Sequence, residues 1–138
     1  MTLAPQPPGV PVPRPSLFSA PYWEGCRLGE LRFSRCGSCG AAIADAPRCC
    51  HRCGSTDLSW EVSSGRGTVY SWTVVWRPQT PAFQVPYVPV IVQFEEGFFL
   101  LSSLIGCEVD DVAEGLAVAV EFHPCGDGES LPYVRPAG

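Results

Sequence analysis

Two copies of one short turn constrain this chain most: each has two cysteines separated by two residues and then a glycine, at residues 36–40 and 50–54. The glycine allows a positive φ, so backbone N–H groups can point at the sulfurs. Packed against each other, the two turns would place four thiolates in a tetrahedron, the geometry of a structural Zn²⁺ site. The predicted metal ligands are Cys36, Cys39, Cys50 and Cys53.

A site with four cysteine ligands is closed, so the metal would maintain shape and would leave no open position for a substrate. Two disulfides are an alternative, but the N-terminal segment lacks the cationic start and apolar stretch of a secretory signal. A rubredoxin-type iron centre uses the same four thiolates, and ligand type alone does not exclude it. The identity of the metal, zinc or iron, is therefore left open. If the metal is iron, electron transfer is a competing function.

The N-terminal residues 1–15 contain six prolines, which oppose a helix and predict an extended or disordered arm. No apolar run approaches the length of a membrane span. We therefore expect a cytoplasmic protein without membrane contact, whose other cysteines stay reduced in that compartment. These are Cys26, Cys49, Cys107 and Cys125.

The chain is acidic overall, with 14 acidic residues against nine basic ones and a formal net charge of −5. A nucleic-acid-binding protein needs a broad basic surface, so this charge argues against a single-stranded nucleic-acid-binding module, although OB folds and zinc ribbons can both bind polynucleotides. Six of the nine arginines nevertheless fall within residues 27–66, and arginine suits bidentate contact with phosphate. Only 17% of the residues are charged, which indicates either a large protein partner or simply a chain rich in Val and Ala.

The hydrophobic pattern predicts a mainly β protein. Residues 16–29 have the spacing of one or two short amphipathic helices, and residues 30–35 alternate as a strand does. After the cysteine turns, five alternating segments with a long first strand at residues 68–76 predict a five-stranded OB-type Greek-key barrel. The predicted units are a disordered arm at 1–15, a helical segment with a leading strand at 16–33, a zinc ribbon at 34–60 and an OB-fold barrel at 61–136.

Several motifs together are more distinctive than the cysteine turns alone: YWEG at residues 22–25, SGRGTVYSWT at 64–73 and PYVP at 86–89. In this order, with the two cysteine turns, the chain resembles the family catalogued as domain of unknown function 35 (DUF35), in which a zinc ribbon precedes an OB fold. The resemblance covers residues 17–136, nearly the whole chain.

The resemblance implies a non-catalytic partner subunit for an acyl-CoA enzyme, in a hetero-oligomer expected to be a heterotetramer. The catalytic partner would be a thiolase-fold protein (thiolase, synthase or lipid-transfer-type aldolase) or a hot-dog-fold enoyl-CoA hydratase, as in the degradation of sterol side chains. Because this chain has no fused hot-dog domain, the thiolase-fold version is favoured. The residues agree with this role, since there are only two histidines, His51 and His123, and no nucleophile motif.

The resemblance also implies that the chain helps to bind CoA, and the residue types indicate where. Arginines near the junction of ribbon and barrel would hold the phosphates, and aromatic side chains would line the path of the pantetheine arm. These residues also have other interpretations. Tyr70 and Trp72 would be part of the barrel core, and Phe83 and Tyr87 would pack on the partner protein. Arg48 and Arg52 would belong to a solvated face of the ribbon. The predicted CoA-binding residues are Arg48, Arg52, Arg66, Tyr70, Trp72, Phe83 and Tyr87.

Overall fold

The computed structural model describes all residues from 1 to 138 and contains one α-helix and eight strands. Helix α1 (Ala20–Leu28) is followed by a three-stranded antiparallel sheet in the order β2-β1-β3. Its strands are β1 (Arg32–Cys36), β2 (Ala42–Ile43) and β3 (Leu58–Val62). This sheet carries the cysteine turns at one end.

The remaining five strands form a closed barrel in the order β4-β5-β6-β8-β7. All neighbours are antiparallel except β6 and β8, which are parallel and close the barrel. A single 3-10 turn, Val109–Asp111, precedes β7. The strands are β4 (Arg66–Trp72), β5 (Val88–Phe94), β6 (Phe99–Leu104), β7 (Ala117–Gly126) and β8 (Glu129–Pro136). The predicted mainly β fold with a five-stranded OB-type barrel is confirmed.

Only one helix forms in the N-terminal segment. Pro21 stands in its first turn, where the missing N–H costs nothing. Gly29 ends the helix with φ 78° and donates its N–H to the last turn. Tyr22 and Cys26 are its buried side chains, one turn apart. No helix in the protein has the length and apolar character that crossing a membrane requires.

Strands β1 and β3 pair along their whole lengths, from Arg32 with Val62 to Cys36 with Leu58. The predicted boundary after residue 33 therefore divides β1, and the predicted boundary after residue 60 divides β3. Local alternation identified β1 but could not show that it pairs with β3. The sheet they form extends the ribbon into the segment assigned to the helical unit.

The arm predicted to be disordered lies against the barrel instead. Leu3 forms two backbone hydrogen bonds of 2.8 Å, to the carbonyl of Cys107 and from the N–H of Gly106. Leu3 and Val10 are both buried. Proline excludes a helix here but not an extended chain, and the two buried apolar side chains hold the arm in place.

Ribbon and barrel share one hydrophobic core. Leu31 and Phe33 belong to the same buried cluster as the barrel residues Phe94 and Phe98. The ring of Phe98 stacks on Phe33 at 4.8 Å and on Phe94 at 4.9 Å between centroids. The two units are therefore packed as one body rather than joined by a linker.

Candidate metal centre and apolar groove

The four predicted ligands converge at the end of the ribbon. The Sγ atoms of Cys36 and Cys53 are 3.6 Å apart, as are those of Cys39 and Cys50, and all four lie within 4.8 Å of one another. Sulfurs at the corners of a tetrahedron around Zn²⁺, with Zn–S about 2.3 Å, would be about 3.8 Å apart. A disulfide bond requires an S–S distance of about 2.05 Å. The geometry therefore fits a metal ion and does not fit disulfides.

The glycines that end the two turns have the predicted positive φ, 77° for Gly40 and 81° for Gly54. Each donates its N–H to the carbonyl of the first cysteine of its turn, at 2.9 Å for Cys36 and 2.8 Å for Cys50. This tight turn points backbone N–H groups at the first sulfur. Any larger residue at the glycine would be strained.

Backbone N–H groups favour the thiolate form, which is the form that binds metal. The N–H of Cys39, 3.5 Å from the sulfur, lowers the pKa of Cys36 to about 6. Burial alone would raise the pKa of Cys50, but the N–H groups of Cys53 and Arg52 outweigh it and the pKa is lowered. The chain thus stabilises negative charge at two of the four sulfurs before any cation binds.

The cysteine cluster contains the four predicted residues and excludes Cys49 and His51, which adjoin Cys50 in the sequence. Cys36 and Cys50 are buried beside Ile43 in a small core of their own. Cys49 and His51 are exposed and lie outside the cluster. Because so little apolar surface is buried at this end, a bound Zn²⁺ would supply much of the ribbon's stability.

An apolar groove of about 560 Å³ lies between α1, the loop 73–87, β6 and β8. Phe83 and Tyr87 form part of its wall, with their rings stacked at 5.7 Å. These two predicted residues are therefore brought together. Other lining residues are Gln6, Trp23, Leu101, Pro132 and Tyr133.

Tyr70 and Trp72 line neither the groove nor the buried core, so the barrel-core interpretation is wrong, while their contact with CoA stays a prediction. Both side chains are exposed, but only Tyr70 packs on the outer face of the sheet, edge-to-face on Phe99 at 5.1 Å, whereas Trp72 pairs with the inward-facing Val90. A β-bulge between Val69 and Ser71 interrupts the strand there. Val69 faces inward and is only 1% exposed.

The three predicted arginines occupy three separate places, and none forms an ion pair. Arg48 stacks over the ring of Phe18 at 4.6 Å. Arg66 lines a depression between β4 and β5. Arg52 lines a depression beside the turn between β5 and β6, and this depression shares Asp45 with the groove wall.

Sequence reasoning missed two polar residues of the groove. The hydroxyl of Tyr133 accepts a hydrogen bond of 3.1 Å from the N–H of Gln6, and burial raises the pKa of Tyr133. One residue lies near each end of the chain, and no local pattern links them. Trp23, in contrast, belongs to the YWEG motif and could have been identified from it.

Comparison with known proteins agrees with this geometry. The rubredoxin-like zinc ribbon domain of ChsH2 matches residues 23–59, and the C-terminal OB-fold domain of ChsH2 matches residues 60–123. A DUF35 domain-containing scaffold protein of Methanothermobacter thermautotrophicus is 32% identical, over 68% of this chain and 72% of its own length. The chain belongs to the DUF35 family. The predicted family is thus confirmed, with its zinc ribbon and OB fold.

Among solved structures, this DUF35 chain superposes on a chain described as "Ltp2-ChsH2(DUF35) aldolase" with a TM-score of 0.82 and 32% identity. The match covers 91% of this chain and 99% of that chain. A DUF35 protein of Sulfolobus solfataricus, 15% identical with a TM-score of 0.63, shares the fold.

Two curated relatives are named as hydratase subunits. The probable enoyl-CoA hydratase alpha subunit of Thermomonospora curvata is 33% identical over 91% of this DUF35 chain. The 3-oxo-4,17-pregnadiene-20-carboxyl-CoA hydratase alpha subunit of Mycobacterium tuberculosis is 34% identical over 80% of it. The chain spans only 40% and 35% of the length of these two proteins.

Proposed function

We propose that this protein is a non-catalytic subunit that docks on a thiolase-fold enzyme of acyl-CoA metabolism and helps to bind and position the acyl-CoA. The observation that carries the proposal is the likeness to the ChsH2 DUF35 chain of an Ltp2-ChsH2 aldolase, which extends over 99% of that chain. The expected assembly is a cytoplasmic heterotetramer, and the expected substrates are acyl-CoA thioesters such as those from sterol side chains.

The metal centre has a structural role in this proposal. Cys36, Cys39, Cys50 and Cys53 would hold Zn²⁺, which supplies cross-linking and no reaction step, since all four positions around it are filled. The ribbon packs on the barrel through the rings of Phe33 and Phe98. A rigid ribbon therefore keeps the neighbouring barrel surface in one shape for a partner.

The docking surface is the outer face of β4, β5 and β6, which we call the aromatic face. In the sheet Ile91 lies opposite Leu101, and Phe99 lies two residue pairs further along, on the same face. Three of its members are large apolar side chains exposed to solvent, and such a patch on a soluble domain marks an interaction site. The aromatic face consists of Tyr70, Ile91, Phe99 and Leu101.

The groove beside this face is the proposed path of the acyl-CoA. Leu101 belongs to both, so a partner on the aromatic face would also cover the groove. The pantetheine arm would pass Phe83 and Tyr87, and Arg52 would contact a phosphate by charge-assisted hydrogen bonds. Holding the thioester beside the partner's catalytic residues lowers the entropy cost of the reaction.

The other four predicted CoA residues take different places in this scheme. Tyr70 belongs to the docking surface rather than to the groove, and Trp72 lies exposed opposite Val90, outside both. Arg48 and Arg66 do not line the groove, and we assign them no CoA contact within the isolated chain.

A hot-dog-fold enoyl-CoA hydratase is the second candidate partner. It is favoured by the two hydratase alpha subunits, which are 33% and 34% identical to this chain. Since the chain spans less than half of either one, the likeness is to one part of those proteins. The partner preference must therefore be measured directly.

The test is co-expression with a thiolase-fold aldolase of the Ltp2 type and, separately, with a hot-dog-fold hydratase subunit. We expect the wild-type chain to co-elute with the aldolase, and light scattering to give two copies of each subunit. Leu101→Asp places a charge on the aromatic face and should weaken the complex by about tenfold or more. Because Leu101 is already 65% exposed, the thermal midpoint of the isolated chain should not change.

Leu28→Asp is the matched control, since Leu28 is 64% exposed at the end of α1, a helix that packs mainly on β1, β7 and β8. It should leave the complex intact. If both variants bind the aldolase as the wild type does, the aromatic face is not the interface. If the wild-type chain co-elutes only with the hydratase, the second candidate replaces the first, and co-elution with neither refutes the partner role.

A further inference from the structure

The N-terminal arm is anchored to the barrel three residues before it reaches the groove. Leu3 exchanges backbone hydrogen bonds with Gly106 and Cys107, both 2.8 Å long, in the manner of a short β-pair. Its side chain is 5% exposed and belongs to the main core. This anchor determines where residue 6 lies.

Gln6 connects the arm to two other segments. Its side-chain oxygen accepts the N–H of Gln84 at 2.8 Å, and its side-chain nitrogen donates to the carbonyl of Gln84 at 3.1 Å. The backbone N–H of Gln6 donates to the hydroxyl of Tyr133 on β8. One amide side chain thus pairs with both backbone groups of a loop residue, as a neighbouring strand would.

The loop has few other attachments at this point. Residues 80–83 form a local turn, in which Phe83 donates its N–H to the carbonyl of Thr80. The next backbone bonds to the body of the protein are those between Tyr87 and Val75. Between residue 83 and residue 87, the hydrogen bonds to Gln6 are the only hydrogen bonds made by the backbone of the loop.

Phe83, the residue before Gln84, is part of the groove wall and stacks on Tyr87. A shift of the Gln84 backbone would therefore carry the ring of Phe83 with it. Gln6 itself lines the same groove, beside Tyr133.

We propose that Gln6 is a positioning residue: through its paired hydrogen bonds to Gln84 it holds Phe83 in the wall of the groove, and the N-terminal arm is thereby part of the binding site. The inference rests on the proposed function for the nature of the occupant, an acyl-CoA. The pairing of arm and loop is tested without any ligand.

The first measurement is hydrogen exchange of the Gln84 backbone amide by NMR in the full chain. Gln6→Ala removes the acceptor, so exchange at Gln84 should become faster by about tenfold or more. Gln6→Glu keeps an acceptor for this N–H and should retain most of the protection. Gln84→Ala is the matched control, because the bonds to Gln6 use only the backbone of Gln84, and its residue-84 amide should stay protected.

The second measurement is binding of decanoyl-CoA, followed through the fluorescence of Trp23 in the groove wall. Gln6→Ala should raise the Kd several-fold, whereas Gln84→Ala should not change it. The amide of Tyr87, bonded to Val75, should keep its protection in all variants and so report that the fold is intact.

Unchanged exchange at Gln84 in Gln6→Ala would overturn the inference. So would faster exchange combined with an unchanged Kd, because the loop position would then be irrelevant to binding. If the wild-type chain does not bind decanoyl-CoA, alone or in its partner complex, while Gln84 exchange responds as expected, the acyl-CoA function fails and the arm–loop pairing stands.

Discussion

At the scale of single residues, Glu96 links the two halves of the molecule. It lies in the turn between β5 and β6, and its carboxylate accepts hydrogen bonds of 2.7 Å from the hydroxyl of Ser63 and the N–H of Ser64. These serines directly follow β3 of the ribbon. Burial alone would raise the pKa of Glu96, but the two serine donors outweigh it and the pKa is lowered.

Glu96→Gln should destabilise the protein by about 1–2 kcal/mol near neutral pH, since hydrogen bonds to a charged acceptor become weaker. A carboxylate whose pKa is lowered by folding stabilises the fold above its unfolded pKa, about 4.3, and loses that contribution as the pH falls. The difference between wild type and variant should therefore shrink below about pH 4. Urea unfolding of both proteins at each pH measures this difference.

Comparing the two proteins at the same pH cancels the effect of acid on the cysteine cluster. Glu114→Gln is the control, because Glu114 is exposed and makes no hydrogen bond or ion pair. A Glu96→Gln effect that is the same at acidic and neutral pH would show that the charge of Glu96 is not involved.

At the scale of the elements, β4 approaches its neighbours closely at Gly67. Gly67 pairs with Phe94 of β5 on one side and with Val118 of β7 on the other. A Cβ at this position would lie 2.5 Å from the backbone oxygen of Gln93 and 2.8 Å from a methyl of Val92. A backbone oxygen inside a paired strand cannot move aside, so glycine is required here by packing rather than by its φ.

Gly67→Ala should therefore destabilise the barrel by about 1–3 kcal/mol, the usual cost of overpacking. Thr68→Ala is the control on the same strand, since Thr68 is exposed and loses little on truncation. Chemical denaturation followed by tryptophan fluorescence gives both values. Equal stability of the two variants would contradict the close approach of β4 and β5.

At the scale of the whole molecule, the shared core makes ribbon and barrel interdependent. Phe33 of the ribbon and Phe94 of the barrel lie on either side of Phe98, within 5 Å between ring centroids. Loosening the ribbon would expose Phe98, a ring that is only 2% exposed in the folded protein. The metal centre should thus stabilise residues far from the sulfurs.

Purified protein should contain one equivalent of zinc per chain and be colourless, whereas iron on the same thiolates would give a red protein. Removal of the metal by a chelator should lower the thermal midpoint of ribbon and barrel together. Near-ultraviolet circular dichroism and NMR signals of barrel methyl groups measure this effect, and re-addition of zinc is the control. A barrel that keeps its native spectrum after the metal is removed would contradict the coupling.

The metal centre and the family could be predicted from the sequence because they depend on residues close together along the chain. The spacing of Cys36 and Cys39, repeated at Cys50 and Cys53, determines a turn whose sulfurs can share a cation. The glycines after each turn carry the positive φ that this geometry needs. Alternation likewise predicted five barrel strands, with errors only at their ends.

What the tertiary structure alone decided is the groove. Gln6, Phe83 and Tyr133 come from three distant segments, and no periodicity in the sequence connects them. The orientation of Tyr70 could not be predicted from the sequence either, because strict alternation of inward and outward side chains does not allow for the β-bulge beside it. Spacing along the chain determines local ligand geometry, whereas a cavity is formed by segments whose contacts are favourable only when the whole core has assembled.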